Sequence, residues 1–369
     1  MVRGSQPMGI YHPSREHPSS WCPGSPDQGG GDLGVGSDRP PEPAGKRGET
    51  LGLVPWGAAD ATPEREPNAS LDLPLDPPLG EVLTLALGVT WGAIDLLRAY
   101  YRGYTPSGDS LDLGVQSRPD GPVTAADLAV NQYILQHFQA HLPRKTFGYL
   151  TEESYKTQSD PRETLTPCPE PWVWIIDPLD GTRDFIDHTG EYAIHIALIH
   201  RQQPILAVLA VPEREEIYYA VRDGGTFRVD RQGQVQSVRV SSRANLEDMI
   251  RVVGRRIWGD RFKALLARFP VQRQVQASSI GYRIVKILCH EADVYLSLSG
   301  RSAPKDWDMA APDLILREAG GNLTHADGTP LRYNTGDVSQ WGCLLGSNGT
   351  RHAALCCCLE DILQDLPDL

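Results

Sequence analysis

Positive charge is scarce in this chain. Lys and Arg total 35 against 47 Asp and Glu, a net charge of −12 over 369 residues. Nucleic-acid polymers and anionic membranes are held by basic patches, so neither is the expected partner. A small phosphorylated substrate stays open, because bound cations reverse the local sign of the field. Long apolar runs are missing too, and none has the length expected of a membrane span. The N-terminus lacks the apolar core of a secretory signal. Cysteine is sparse: Cys22, Cys168, Cys289, Cys343 and the run Cys356-Cys357-Cys358 make an odd total of 7. No pair has metal-finger spacing. Reduced thiols and a cytoplasmic location are the expectation. The triple run lies in Ala353-Ala354-Leu355-Cys356-Cys357-Cys358-Leu359, which reads as a C-terminal helix with the thiols packed as small apolar groups.

Residues 1–77 have no hydrophobic period and are about one-third Gly and Pro, a composition that predicts a disordered leader. Its several acids argue against an organelle transit peptide. An over-extended gene start explains the same composition.

What is present centres on Trp172-Val173-Trp174-Ile175-Ile176-Asp177-Pro178-Leu179-Asp180-Gly181-Thr182-Arg183-Asp184-Phe185. The aromatic and β-branched opening predicts a buried strand. Pro178 forbids simple continuation of the ladder, so the strand is expected to end at Asp177. Asp180, Gly181 and Thr182 follow at once. Two carboxylates and a hydroxyl at a strand mouth are the oxygen donors Mg²⁺ takes. A turn with an Asx cap explains this segment equally well when it is taken alone.

Order begins near Leu79. Val82, Leu83, Leu85, Ala86, Val89, Ala93, Leu96, Leu97 and Tyr100 recur at helical spacing and predict a long amphipathic helix. A second helix follows Thr124, its plausible N-cap, with Asp127 in the first turn. Dipole complementation accounts for Asp127 as well as function does. Glu152 and Glu153 come after a short apolar stretch, and sheet neighbours are able to bring Glu152 beside Asp177. From Tyr192 to Val229 short strands and the Asp223-Gly224-Gly225 turn signal predict an antiparallel sheet. His195 lies in one of these strands and is expected to be a packed core histidine. From about Ser241 strands and helices alternate, which predicts a second, α/β half. Its last informative stretch, Lys305 to Gly321, reads as a helix with Asp308 at its beginning and Gly320-Gly321 as its stop signal. The expected organisation is a leader at 1–77, an α+β half at 78–240 and an α/β half at 241–369.

Four motifs now stand in order: Val-Thr-Ala-Ala-Asp127, Glu152-Glu153-Ser154, Asp177-Pro-Leu-Asp180-Gly-Thr182 and Trp307-Asp308-Met-Ala-Ala-Pro312. Together they resemble the inositol monophosphatase superfamily of metal-dependent, lithium-sensitive phosphatases, over about residue 79 to the C-terminus. Thr182-Arg183-Asp184-Phe185, Gly190-Glu191-Tyr192 and Ile196-Ala197-Leu198-Ile199 look most like the 3'(2'),5'-bisphosphate nucleotidase, or CysQ-like, branch. Ser278-Ser279-Ile280-Gly281-Tyr282-Arg283 is a loose version of the family's substrate loop, with Arg283 where Lys is usual. The family often has Lys near the position of Arg118.

The resemblance implies a layered αβαβα sandwich, an antiparallel-sheet half plus an α/β half. It implies two or three Mg²⁺ ions on Glu152, Asp177, Asp180, Asp308 and the Leu179 carbonyl. Asp127, Thr182 and Glu153 are the implied catalytic group. Gly181, Thr182, Ser278, Ser279 and Arg283 are the implied substrate contacts. The expected reaction converts 3'-phosphoadenosine 5'-phosphate to AMP and phosphate, a step tied to sulfur assimilation. An inositol monophosphatase, a fructose-1,6-bisphosphatase or a non-catalytic binding protein of the same fold are the alternatives. A homodimer is the family's expectation.

Overall fold

A computed structural model describes residues 75–366, apart from 105–107, 119–120, 144, 159–165 and 256–258. The expected leader lies outside the described residues up to position 74. The chain enters through α1 (Leu79–Arg102), a hairpin of β1 (Gln116–Arg118) and β2 (Gly121–Val123), and α2 (Ala125–His141). β3 (Phe147–Thr151) leads into α3 (Glu152–Gln158). β4 (Trp172–Asp180) and the short α4 (Thr182–Ile186) form the central stretch. An antiparallel run follows: β5 (Ala193–His200), β6 (Gln203–Val211), β7 (Glu216–Val221), β8 (Gly225–Asp230) and β9 (Val235–Val238). Then come β10 (Ile250–Val253), α5 (Asp260–Arg268), β11 (Arg273–Gln276), α6 (Ile280–Leu288) and β12 (Val294–Leu298). The chain closes with α7 (Asp306–Glu318), β13 (Asn322–His325), β14 (Cys343–Ser347) and α8 (His352–Gln364).

β3 to β9 form a seven-stranded sheet in sequence order, and the other large sheet has the order β11-β10-β12-β14-β13. Alternation along the strands explains how the layers stack. Trp172, Trp174 and Ile176 of β4 pack with Val82 and Ile94 of α1 and Phe138 of α2. Val173 and Ile175 point the other way, into a core shared with Ile284 of α6, Leu314 of α7, and Val252, Tyr295 and Leu344 of the second sheet. Val253, Leu296 and Leu345 face α5 and α8 through Leu265, Leu355 and Leu359. Helix, sheet, helix, sheet and helix layers therefore follow one another, with α6 and α7 in the middle. Side chains at a period of two are what allow one strand to serve two cores.

α1 is 24 residues long and predominantly apolar. By length and composition it is apolar enough to cross a membrane, which corrects the sequence expectation that no such run exists. Its buried face, Val82, Leu83, Ala86, Val89, Thr90, Ala93, Ile94 and Leu97, follows the helical period. That face packs on α2 and the seven-stranded sheet. Gly103 ends the helix in the left-handed region at φ 77°, where a side chain is strained.

β4 also departs from expectation. It runs through Pro178 to Asp180, and its register against β5 breaks between Asp177 and Asp180. The irregularity absorbs the residue that cannot donate, and it turns the following side chains. Trp174 anchors the strand by stacking on Phe138 at 4.4 Å between ring centroids. Truncating a tryptophan of this kind costs about 3–5 kcal/mol.

Candidate metal centre

β3 and β4 are parallel neighbours, with Thr151 opposite Ile176. Their C-terminal ends therefore deliver Glu152, Glu153 and Asp177 to the same edge. Asp177 continues the Val173, Ile175 series, so it emerges on the side occupied by α7. The break in β4 then brings in Asp180. α7 starts at Asp306 and places Asp308 in its first turn. Carboxylate oxygens of Asp177, Asp180 and Asp308 all lie within 4.8 Å of one another.

Each of the three is fixed by backbone donors. Leu179 N–H donates to Asp177 Oδ1 at 3.0 Å. Gly281 N–H and Ile280 N–H donate to Asp180 Oδ2 and Oδ1 at 2.6 and 3.3 Å. Lys305 N–H donates to Asp308 Oδ2 at 2.5 Å. Burial pushes the Asp177 carboxyl well above its ordinary range, and the charges of Glu152, Asp180 and Asp308 push it further. Burial raises Asp308 to about 8, with Asp180 and Glu152 adding to it against the Lys305 N–H bond. Carboxylates this close cannot all ionise in a dry site unless a cation joins them. Hard oxygen donors with no sulfur or nitrogen among them fit Mg²⁺-type ions. Glu153 adds an independent sign of fit: its Oε1 is buried without a hydrogen-bond partner among the described residues.

Glu152 adjoins this trio, sharing a side-chain hydrogen bond with Asp177. Its Oε1 lies 2.5 Å from Lys156 Nζ, one helical turn further along α3. Burial lowers the Lys156 pKa, but attraction to Glu152, with help from Glu153 and Asp177, leaves it above its ordinary value. Glu153 Oε2 accepts from Arg118 Nη1 at 3.1 Å. Burial raises Glu153 to about 7, and neighbouring Glu152 adds to the effect.

Asp127 satisfies both sequence readings at once. Its Oδ2 accepts from the Thr124 backbone at 2.7 Å and hydroxyl at 2.6 Å, which closes the start of α2. Its Oδ1 accepts from Thr182 Oγ1 at 3.0 Å, across 55 residues of sequence. Burial raises Asp127 to about 6 against the Thr124 bonds that hold it down. Thr182 Oγ1 is also 3.3 Å from the Leu179 carbonyl.

The substrate-loop residues are used internally. Ser279 caps α6 by accepting from Tyr282 N–H at 3.2 Å, and Ser278 N–H donates to Glu191 Oε2 at 3.0 Å. Arg283 Nε donates to the Ala277 carbonyl at 3.0 Å, and its Nη2 donates to the Ser278 carbonyl. The guanidinium ties its own loop together, which leaves less of its fork for a phosphate than the sequence suggested. Gly181 precedes α4 at φ 91°, and a Cβ there would meet Ser279 Cβ at 2.8 Å. α4 has only five residues, so its dipole adds little to the Gly181 and Thr182 amides.

Three further residues did not emerge from sequence reasoning. His195 is buried as expected, but its ring spans two site elements. Nδ1 is 3.2 Å from the Trp307 carbonyl. Nε2 is 3.3 Å from Asp180 Oδ2, out of line for a hydrogen bond. Gly281 gives α6 its close approach to Asp180, since a Cβ there would sit 2.2 Å from His195 Nε2. Lys156 carried a legible signal, its four-residue spacing from Glu152 on a helix.

Comparison with known proteins agrees with this geometry. The chain is 28% identical over 214 residues, 58% of its length and 75% of the relative's, to a 3'(2'),5'-bisphosphate nucleotidase CysQ of Aggregatibacter actinomycetemcomitans. It is 31% identical over 216 residues, 57% of its length and 72% of the relative's, to a 3'-phosphoadenosine 5'-phosphate phosphatase of Mycobacterium bovis. Among solved structures, an IMPase of Thermotoga maritima superposes with a TM-score of 0.61 at 21% identity, over 78% of this chain and all of that one. The sequence model of the inositol monophosphatase family matches residues 79–364, and the chain belongs to that family.

Proposed function

We propose that this chain is a Mg²⁺-dependent phosphomonoesterase that converts 3'-phosphoadenosine 5'-phosphate to AMP and phosphate. The observation that carries the reaction class is the trio Asp177, Asp180 and Asp308, whose oxygens lie within 4.8 Å of one another. The substrate follows the similarity to relatives named as bisphosphate nucleotidases and as a 3'-phosphoadenosine 5'-phosphate phosphatase. Asp177, Asp180 and Asp308, with Glu152 and the Leu179 carbonyl, would hold two or three ions. Such ions, when bound, supply an activated water and a clamp on the phosphoryl oxygens.

The protein's own groups do the rest. Asp127 holds the Thr182 hydroxyl at 3.0 Å, which aims the lone pairs of Thr182 at an attacking water. Asp127, raised to about 6, is matched to accept a proton near neutrality through that hydroxyl. Glu153, raised to about 7 and with Oε1 unpartnered, is a second acceptor at the same edge. Residues 78–240 supply all of these groups except Asp308, which residues 241–369 supply, so both halves are needed for one site. A cytoplasmic location belongs to this reading.

Phosphate release is measured with Mg²⁺ on 3'-phosphoadenosine 5'-phosphate, inositol 1-phosphate and fructose 1,6-bisphosphate. The expected result is the highest kcat/KM on the nucleotide, and inhibition by millimolar Li⁺. A higher kcat/KM on either of the other two would replace the substrate but keep the chemistry. No release from any of them, with no Mg²⁺ binding by calorimetry, would point to a non-catalytic protein of this fold.

A further inference from the structure

We propose that the protein has a second ligand site, remote from the metal centre, that takes the zwitterion of a small amino acid with an apolar side chain. The site is a cavity of about 360 Å³ at the start of β4. Pockets of about 300–1,000 Å³ hold small ligands. Val173 and Ile199, cross-strand partners in β4 and β5, supply its apolar lining. Asp177 comes four residues after Val173, about 13 Å further along a strand. The cavity is therefore separate from the carboxylates of the metal centre.

Two opposite charges line this cavity, Glu170 where the chain enters β4 and Arg201 at the turn from β5 to β6. Neither forms an ion pair, with the other or with any group among the described residues. Glu170 occupies space that β3 leaves open. A Cβ on Gly148 would lie 2.6 Å from Glu170 Oε2, so the glycine gives that carboxylate its room. His200 adds a fixed ring to the wall. It stacks on Trp172 at 4.1 Å between centroids, with Nδ1 3.1 Å from the Pro171 carbonyl. Asn334 serves as wall only. Its Oδ1 accepts from the Cys168 N–H at 2.8 Å, and its Nδ2 donates to the Cys168 carbonyl at 3.1 Å.

The backbone is strained to build this wall. A two-residue hairpin turn needs left-handed backbone at both positions, which Asn-Gly adopts readily. Here the turn is Arg201-Gln202, at φ 50° and 66°. Asn334 is left-handed too, at φ 54°. Three of the seven non-glycine residues with positive φ among the described residues thus line one cavity. Strained backbone gathers at ligand sites. The turn is also pinned: Tyr333 N–H donates to the Gln202 carbonyl at 3.2 Å, and Gln203 Nε2 to the Leu331 carbonyl at 3.1 Å. An unpaired acid, an unpaired base and an apolar lining match the ammonium, carboxylate and side chain of an amino acid. The guanidinium fork suits a carboxylate. A simple anion would leave Glu170 unneutralised, and a simple cation would leave Arg201 so.

The test is calorimetry on the full chain in Mg²⁺ buffer, with L-leucine and L-methionine as probes. Both should bind with a Kd of about 1 mM or tighter. N-acetyl-leucine lacks the ammonium and leucinamide lacks the carboxylate, so each should bind at least about tenfold more weakly than leucine. Arg201→Gln and Glu170→Gln should each weaken leucine binding by the same factor. Phosphate release should be unchanged in both variants, so this site stands or falls apart from the proposed activity. No heat from either amino acid at tens of millimolar would overturn the inference. So would equal binding of the two derivatives, or leucine affinity unchanged in both variants.

Discussion

Replacing Gly281 by Ala sets two physical rules against each other, and the structure says which wins. Gly281 is the second residue of α6. On helix propensity alone, Ala gains up to about 1 kcal/mol there. The surroundings reverse the sign. The added Cβ would lie 2.2 Å from His195 Nε2, 2.9 Å from Ala193 Cβ and 3.2 Å from Asp180 Oδ2. His195 is fully buried and tied to the Trp307 carbonyl, so it cannot swing away. α6 must retreat instead. Retreat stretches the 2.6 Å bond from Gly281 N–H to Asp180. Overpacking costs about 1–3 kcal/mol, and a lost bond to a charged acceptor about 1.5–3. After the propensity gain, the net loss is about 1.5–5 kcal/mol. Urea unfolding in EDTA, followed by tryptophan fluorescence, reads it directly. Mg²⁺ affinity should fall in the same variant, because Asp180 loses its positioning donor. A variant as stable as wild type, with unchanged Mg²⁺ affinity, would refute the packing argument.

Other predictions concern the site's proton groups and loop. Thr182→Val should lower kcat at least about a hundredfold, because it removes the hydroxyl that links Asp127 to the water. Its unfolding midpoint should barely move, and a small kcat effect would remove Thr182 from the proton path. In metal-free protein, burial holds Asp127, Glu153 and Asp308 at about 6, 7 and 8. The unfolded chain ionises them near pH 4, so stability falls as pH rises from about 4 to about 8. Thermal unfolding in EDTA should therefore show a higher Tm at pH 5 than at pH 8, and Mg²⁺ should flatten that slope. A pH-independent Tm in EDTA contradicts the electrostatics. Arg283→Ala should cost about 1–2 kcal/mol of stability through its loop bonds, with KM changed only modestly. A tenfold or larger rise in KM at unchanged stability would make Arg283 a substrate contact after all.

The sequence and the structure agree where local pattern controls geometry. Apolar period placed α1 and α2, and strand alternation placed β4 to β8. The acidic motifs sat at strand ends and a helix start, so their convergence was legible before any coordinates. What escaped was set by contacts remote in sequence. Pro178 argued for a strand end, yet pairing with β5 carried the strand to Asp180 through a register break. His195 has no partner spacing in the sequence, and its neighbours Asp180 and Trp307 are brought to it only by packing. Arg283 looked like a phosphate contact because Arg suits phosphate. The fold also ties it to Ala277 and Ser278, six and five residues back. Charged residues such as Glu81, Asp95 and Arg98 interrupt the apolar residues of α1 without ending the helix. The helix face, and not an unbroken run, decides burial.

The most direct test of the account is Mg²⁺-dependent phosphate release by Asp177→Asn. Asp177 is buried and crowded by Glu152, Asp180 and Asp308, so removing its charge relieves repulsion and should leave the metal-free fold intact. The account predicts Mg²⁺-dependent phosphate release in the wild-type chain. It predicts a loss of at least about 1,000-fold in the variant, the scale of several kcal/mol that a catalytic ion supplies. Wild-type turnover by Asp177→Asn, or undiminished turnover of the native chain in EDTA, would contradict it.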